Sequence, residues 1–176
     1  MRPCIKRVCL IGAESTGKTT LAKILANHYH TVWVPEYARE YLQDREGKRT
    51  SIEIMLPIAI GQSASEECKA EFADNLLICD TNILSTAIWS EHYFGRTDDV
   101  ILEMLKHERC DLYLLLDVDV PWVDDGIRDS LNHRELIHKR FLQELRLRKL
   151  PFVIVSGTFE ARVDLAIQSI NSLLSN

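Results

Sequence analysis

No apolar run in this chain approaches the ~20 residues that a membrane-crossing helix requires; the longest, such as Leu112 to Leu116, are far shorter. The apolar stretch near the N-terminus is brief and runs into glycine and charge, which excludes a secretory signal and predicts a soluble, cytoplasmic protein with no membrane partner. A basic excess is lacking too. Lys+Arg number 21 against 26 Asp+Glu, a formal net charge of −5, and the densest basic stretch, His138 to Lys149, alternates with apolar residues as a solvated helix face does. Nucleic acid is therefore not expected as a partner. There is no Cys-x-x-Cys pair: the five cysteines (Cys4, Cys9, Cys68, Cys79, Cys110) are odd in number, and three lie within or beside apolar runs, as small buried hydrophobes do. That excludes a zinc or disulfide framework. Internal repeats and Gly/Ser/Pro-rich linkers are also absent, and 176 residues with 46 % hydrophobic content fit one globular domain over 1–176.

What the chain does contain is an alternation of short β-branched or leucine-rich runs with longer helical patterns. Arg7 to Ile11, Thr31 to Val34, Leu76 to Asp80, Leu112 to Asp117 and Phe152 to Val155 read as strands. Helical periodicity covers Lys18 to Tyr29, Glu36 to Asp44, Ile52 to Ala73, Ile83 to Lys106, His133 to Lys149 and Glu160 to Leu174, with a polar loop over Asp44 to Thr50. The strands are continuously apolar rather than alternating, so both sheet faces are covered, which requires parallel strands joined by helical crossovers. The predicted fold is three-layer α/β, with about five parallel strands and helices on both faces.

Between the first strand and first helix stands Gly12-Ala13-Glu14-Ser15-Thr16-Gly17-Lys18-Thr19, with Thr20 following, a match to G-x-x-x-x-G-K-[ST] at every fixed position. A tight turn of this kind points successive backbone N–H groups inward, where they and the helix N-terminus hold a phosphate. Gly12 and Gly17 supply dihedrals and close approach that a Cβ would forbid. Lys18 reaches the β- and γ-phosphates, and the Thr19 hydroxyl is a magnesium ligand. The motif and its strand–turn–helix context predict ATP and Mg2+ as cofactors and a P-loop NTPase fold of the kinase-like kind. Magnesium needs a second anchor, an acid closing an apolar strand; Asp80 and Asp117 both qualify. In P-loop kinases that acid lies on the strand beside the phosphate-binding one, commonly the third in sequence, which favours Asp80.

The chain shows no Asn/Thr-Lys-x-Asp guanine-reading motif, and lacks the extra helical domain and arginine sensors expected of an oligomeric AAA-type motor. It carries instead an acid and an arginine after the second strand, in Pro35-Glu36-Tyr37-Ala38-Arg39-Glu40, and an arginine-bearing segment after the fourth, Trp122-Val123-Asp124-Asp125-Gly126-Ile127-Arg128. Small-molecule P-loop kinases place the acceptor site at the first position and a closing lid, here about residues 121–135, at the second. A closed lid keeps water from the γ-phosphoryl. Glu36 is the candidate to bind the acceptor and accept its hydroxyl proton. Tyr37, Arg39 and Asp125 are candidates to hold the acceptor, and Arg128, with Arg134 a weaker candidate beside a solvated reading, to meet the transferring phosphoryl. Trp89 and Tyr93, four apart on a helix, read as core packing rather than a stacking platform.

The phosphate loop, Glu36-Tyr37 with Arg39-Glu40, Ile78-Cys79-Asp80-Thr81, and the Trp122-to-Arg128 segment together give the whole chain a resemblance to the ribosylnicotinamide kinase domain of the bacterial multifunctional NAD-biosynthesis regulators. The resemblance implies ATP-dependent phosphorylation of nicotinamide riboside to nicotinamide mononucleotide, with Lys18, Glu36 and Arg128 catalytic. One position departs from it. The family places a tryptophan before the Glu-Tyr pair, where this chain has Pro35; Trp33, on the same side of an extended strand, is the candidate replacement. Pro35 keeps two alternatives open: another small-molecule or nucleotide kinase, and a non-catalytic ATP-binding regulatory module.

Overall fold

The computed structural model describes residues 5–43, 51–119 and 131–175. Its centre is a five-stranded, wholly parallel sheet in the order β2-β3-β1-β4-β5, built from β1 (Lys6–Ile11), β2 (Trp33–Val34), β3 (Leu76–Asp80), β4 (Leu112–Leu116) and β5 (Phe152–Val155). The three central strands are buried almost throughout, which is why they read as unbroken apolar runs. Among the described residues seven α-helices cover the sheet: α1 (Lys18–His28), α2 (Tyr37–Gln43), α3 (Met55–Ala70), α4 (Ile83–Phe94), α5 (Asp99–Lys106), α6 (Leu131–Leu147) and α7 (Phe159–Leu174). The α/β class and the strand set expected from sequence are both present.

The two sheet faces carry separate cores. On one, Val8, Leu10, Ile78 and Leu114 pack with Leu21, Leu25, Ala166 and Ile170 of α1 and α7. On the other, Cys9, Ile11, Cys79 and Leu115 pack beneath α3, α4, α5 and α6, so these two cysteines behave as buried small hydrophobes. Local chemistry sets the boundaries. Gly95, at φ 67, ends α4 with a backbone bond to Glu91 and so divides the Ile83–Lys106 helical stretch in two. Asp98 caps α5 through the Val100 amide, and Thr158 caps α7 through that of Ala161. The second strand is shorter than expected: His30 turns at φ 50, the Thr31 amide donates to the Ala26 carbonyl at 2.9 Å and its hydroxyl to the Leu76 carbonyl. Among the described residues no helix is long and apolar enough to cross a membrane. The expected loop at 44–50, and Trp122, Asp124, Asp125, Gly126 and Arg128 of the expected lid, lie outside the described residues.

Candidate active site

All five strands end on one edge of the sheet, and there the loop between β1 and α1 makes a compact turn. Gly12 (φ 139), Ser15 (φ 56) and Gly17 (φ 90) take positive φ, and the Thr16 hydroxyl donates to the Ala13 carbonyl at 2.9 Å. A Cβ on Gly12 would stand 2.8 Å from the Leu116 carbonyl oxygen, so β4 packs directly against the loop. The Lys18 ammonium lies over the turn, donating to the carbonyls of Gly12 at 3.0 Å and Ala13 at 2.8 Å. Its charge therefore sits where the terminal phosphates of a bound nucleotide would lie.

Thr19, the second residue of α1, donates its hydroxyl to the Asp80 carboxylate at 2.5 Å. Asp80 closes β3, the strand beside β1, and is 1 % exposed. Burial pushes its carboxyl above the usual range, against the pull of the Thr19 hydroxyl and of Lys18, with Glu36 adding a further upward push. Its second oxygen, Oδ1, is buried with no hydrogen-bond partner. Thr19 and Asp80 thus place two oxygen donors together, of the hard kind that a magnesium ion takes. Asp117, the other acid considered, faces elsewhere: it accepts from the Val118 amide at 2.7 Å and lies 3.7 Å from His138 Nε2 of α6.

In front of the loop opens a cleft of about 570 Å³. The phosphate loop from Glu14 to Thr20 forms one wall and Glu36 and Arg39 another, with Met55, Ile58 and Gln62 of α3 below. Glu36 sits at the entrance to α2, its carboxylate 3.5 Å from the Arg39 guanidinium. Tyr37 is not among the cleft-lining residues; its ring packs against α3 at Gly61. The remaining wall comes from α4, where Trp89, Tyr93 and Phe94 line the cleft and the Trp89 and Tyr93 rings stack at 5.4 Å and 17°. This corrects the core-only reading of that pair: Trp89 packs on the core with one face and borders the cleft as well. Trp33 is corrected also. It belongs to the core on the opposite sheet face, with the Lys23 ammonium 5.4 Å from its ring, and does not reach the cleft.

Two arginines differ from expectation. Arg134 is buried rather than solvated, its pKa lowered by burial and by the neighbouring Arg162 charge. Arg162, which sequence reasoning passed over, is 3 % exposed and donates to the carbonyls of Thr16 at 3.0 Å, Gly157 at 3.1 Å and Asp117 at 3.2 Å, and pairs with Asp119. It braces the back of the phosphate loop. One signal was readable: Arg162 falls in register with Ala166 and Ile170, the buried stripe of α7.

A family model described as an AAA domain matches residues 7–162, a span that takes in all of the sheet but Lys6, with the phosphate loop and Asp80. The chain belongs to this family. It is 32 % identical over 159 residues to the trifunctional NAD biosynthesis/regulator protein NadR of Escherichia coli (strain K12), and 29 % identical to that of Salmonella typhimurium (strain LT2). Each match covers 86 % of this chain and 38 % of the relative, so the chain spans about two-fifths of the length of these curated relatives. Among solved structures, NadR protein in complex with NR superposes with a TM-score of 0.86 at 24 % identity, over 98 % of this chain and 52 % of that one. Deoxyadenosine kinase from M. mycoides with bound dATP superposes at 0.64 with 13 % identity, over 94 % and 99 %. These likenesses establish a P-loop kinase-type fold for this member of the AAA-domain family.

Proposed function

We propose that this chain is an ATP-dependent kinase of a small nucleoside-like acceptor, and that the acceptor is nicotinamide riboside, converted to nicotinamide mononucleotide. The observation that carries the reading is the make-up of the cleft: a phosphate loop, an acid–arginine pair and an aromatic wall face one cavity of about 570 Å³. The loop amides and Lys18 would hold the ATP phosphates, and Thr19 and Asp80, hydrogen-bonded to each other, would hold magnesium. A magnesium ion held there would supply positive charge against the negative charge that develops on transfer. Glu36 accepts the proton of the acceptor hydroxyl as its oxygen bonds to the γ-phosphorus and the bond to the ADP oxygen breaks. Such assistance is worth about 10²- to 10⁴-fold. Arg39, with Asp125 and Arg128 from the segment after β4, completes the proposed acceptor and phosphoryl contacts. The nicotinamide ring of the riboside is a cationic pyridinium, and the electron-rich rings of Trp89 and Tyr93 line the cleft proposed to take it; this supports that acceptor although Trp33 lies in the core on the other sheet face. NadR in complex with NR, as a structural neighbour, supports it as well.

An acceptor panel with ATP turnover followed by a coupled assay tests the proposal. Phosphorylation of nicotinamide riboside well above background hydrolysis is the expected result. Turnover only with another nucleoside would replace the acceptor, and tight ATP binding without acceptor-stimulated turnover would make the chain a binding module.

A further inference from the structure

The short helix α2 that carries Glu36 and Arg39 to the cleft contributes no buried residue of its own. Its place must come from what it touches, and the decisive contacts are made by two consecutive residues of α3. At Gly61 a Cβ would lie 2.0 Å from Cε1 of the Tyr37 ring, so only glycine lets that ring settle on the helix backbone. At Gln62 the side-chain Oε1 accepts the Tyr37 backbone N–H at 2.9 Å. This bond satisfies one of the amide donors that every helix start leaves open. The same Gln62 amide donates through Nε2 to Glu66 Oε1 at 3.1 Å and to the Thr81 carbonyl at 3.4 Å, immediately after Asp80.

Both polar side chains are nearly sealed from water, Gln62 at 2 % and Glu66 at 3 % exposure. Burying amides and carboxyls is unfavourable unless their hydrogen bonds are made. The bonds that are made here join the acceptor-side segment to the end of the strand that carries the proposed metal anchor. An interior helical glycine also costs about 1 kcal/mol relative to alanine, and Gly61 is placed where the Tyr37 ring needs it.

From these contacts we infer that Gly61 and Gln62 form a seat for Tyr37 that fixes the distance between Glu36 and the phosphate loop, making them positioning residues for the acceptor and not for the nucleotide. Glu66 orients the seat by holding Nε2, which leaves Oε1 to the Tyr37 amide. Tyr37 thereby serves the site by holding α2 in place. The inference rests on the kinase reading above and adds to it the element that sets acceptor affinity.

The test uses the full chain with Gly61→Ala, Gln62→Leu and the conservative Glu66→Gln, which keeps an oxygen facing Nε2. Misplacement of a reacting group by about 1 Å costs on the order of 10²-fold. Gly61→Ala and Gln62→Leu should therefore lose about 10- to 100-fold in kcat/KM for nicotinamide riboside, while the KM for ATP stays within about threefold. Glu66→Gln should keep the KM for the riboside near that of the unsubstituted protein. Hydrogen exchange at the Tyr37 amide supplies a second readout that needs no substrate: it should quicken at least tenfold in Gln62→Leu and stay slow in Glu66→Gln. Equal losses toward both substrates, or no loss toward either, overturn the inference. If the unsubstituted protein phosphorylates no acceptor, the kinase reading fails, and unchanged Tyr37 exchange in Gln62→Leu then overturns the seat on its own.

Discussion

Replacing Glu66 by glutamine should make the protein more heat-stable in mildly alkaline buffer and not in acid. Five groups face this carboxyl: Arg7 of β1, with Nη1 at 3.8 Å; Gln62 and Glu67 of α3; Cys79 of β3; and Glu108, from the connection after α5. Burial, then the Glu108 charge, pushes the Glu66 carboxyl up to about 8, against the opposing pull of Gln62 and Arg7. The folded chain therefore keeps a proton that the unfolded chain releases near pH 4.5. Stability is full below that value and falls by about 1.4 kcal/mol for each pH unit above it, levelling off past about 8. Across the window the loss reaches about 5 kcal/mol at most.

The glutamine side chain of the variant has no such proton to release. The substitution gives up the contact with Arg7, which keeps Glu67 at 2.8 Å, at a cost of about 1–3 kcal/mol. The net gain at pH 8.5 is about 2–4 kcal/mol, or about 4–15 °C in Tm for a chain of this size. Thermal unfolding followed by circular dichroism from pH 5 to 8.5 reads it directly. The Glu66→Gln curve should start level with or below the parent and cross above it as pH rises. A Tm difference that stays constant across the range would refute the reasoning.

Three further substitutions probe the site. Lys18→Ala should lower kcat/KM by about 10²- to 10³-fold, as loss of a preorganised charge at the phosphates does; intact ATP retention and product formation would remove the loop from the reading. Gly12→Ala puts a methyl 2.8 Å from the Leu116 carbonyl at a φ that L-residues rarely adopt, a strain of about 1–3 kcal/mol, and should weaken ATP binding in calorimetry about tenfold or more; unchanged affinity would mean the loop relaxes freely. Tyr93→Ala, on the aromatic wall, should raise the KM for nicotinamide riboside about 2- to 30-fold, the range of a cation–π contact, and leave the KM for ATP in place. Equal changes in both would assign the ring to packing instead.

The parts of the fold that were legible are those where backbone need and sequence pattern coincide. The glycines at 12 and 17 stand where the turn takes positive φ, and Asp80 ends an apolar strand that indeed lies beside β1. Orientation was less legible. With helices on both faces of the sheet, a period of two does not say which layer holds the cleft, and Trp33 fell on the α1 and α7 side. A pair four apart on a helix looks the same whether it faces a core or a cavity wall, so Trp89 and Tyr93 were placed only by how α4 lies over α3.

A different kind of signal was present and went unread. The buried stripe of α3 runs Met55, Ile58, Ala59, Gln62, Glu66, Ala70, and that of α7 runs Arg162, Ala166, Ile170. Each stripe keeps helical period but is interrupted by a polar residue at a position that period assigns to the core. Packing alone gives no reason for a glutamine, a glutamate or an arginine there, since each must be fully hydrogen-bonded to be tolerated. In this fold every one of them is bonded to a segment at the cleft or behind it: Gln62 to the start of α2, Glu66 to Gln62, Arg162 to the phosphate loop. In α3 and α7 the polar breaks in the buried stripe are thus where the helix grips the site, and they can be located by counting along the chain.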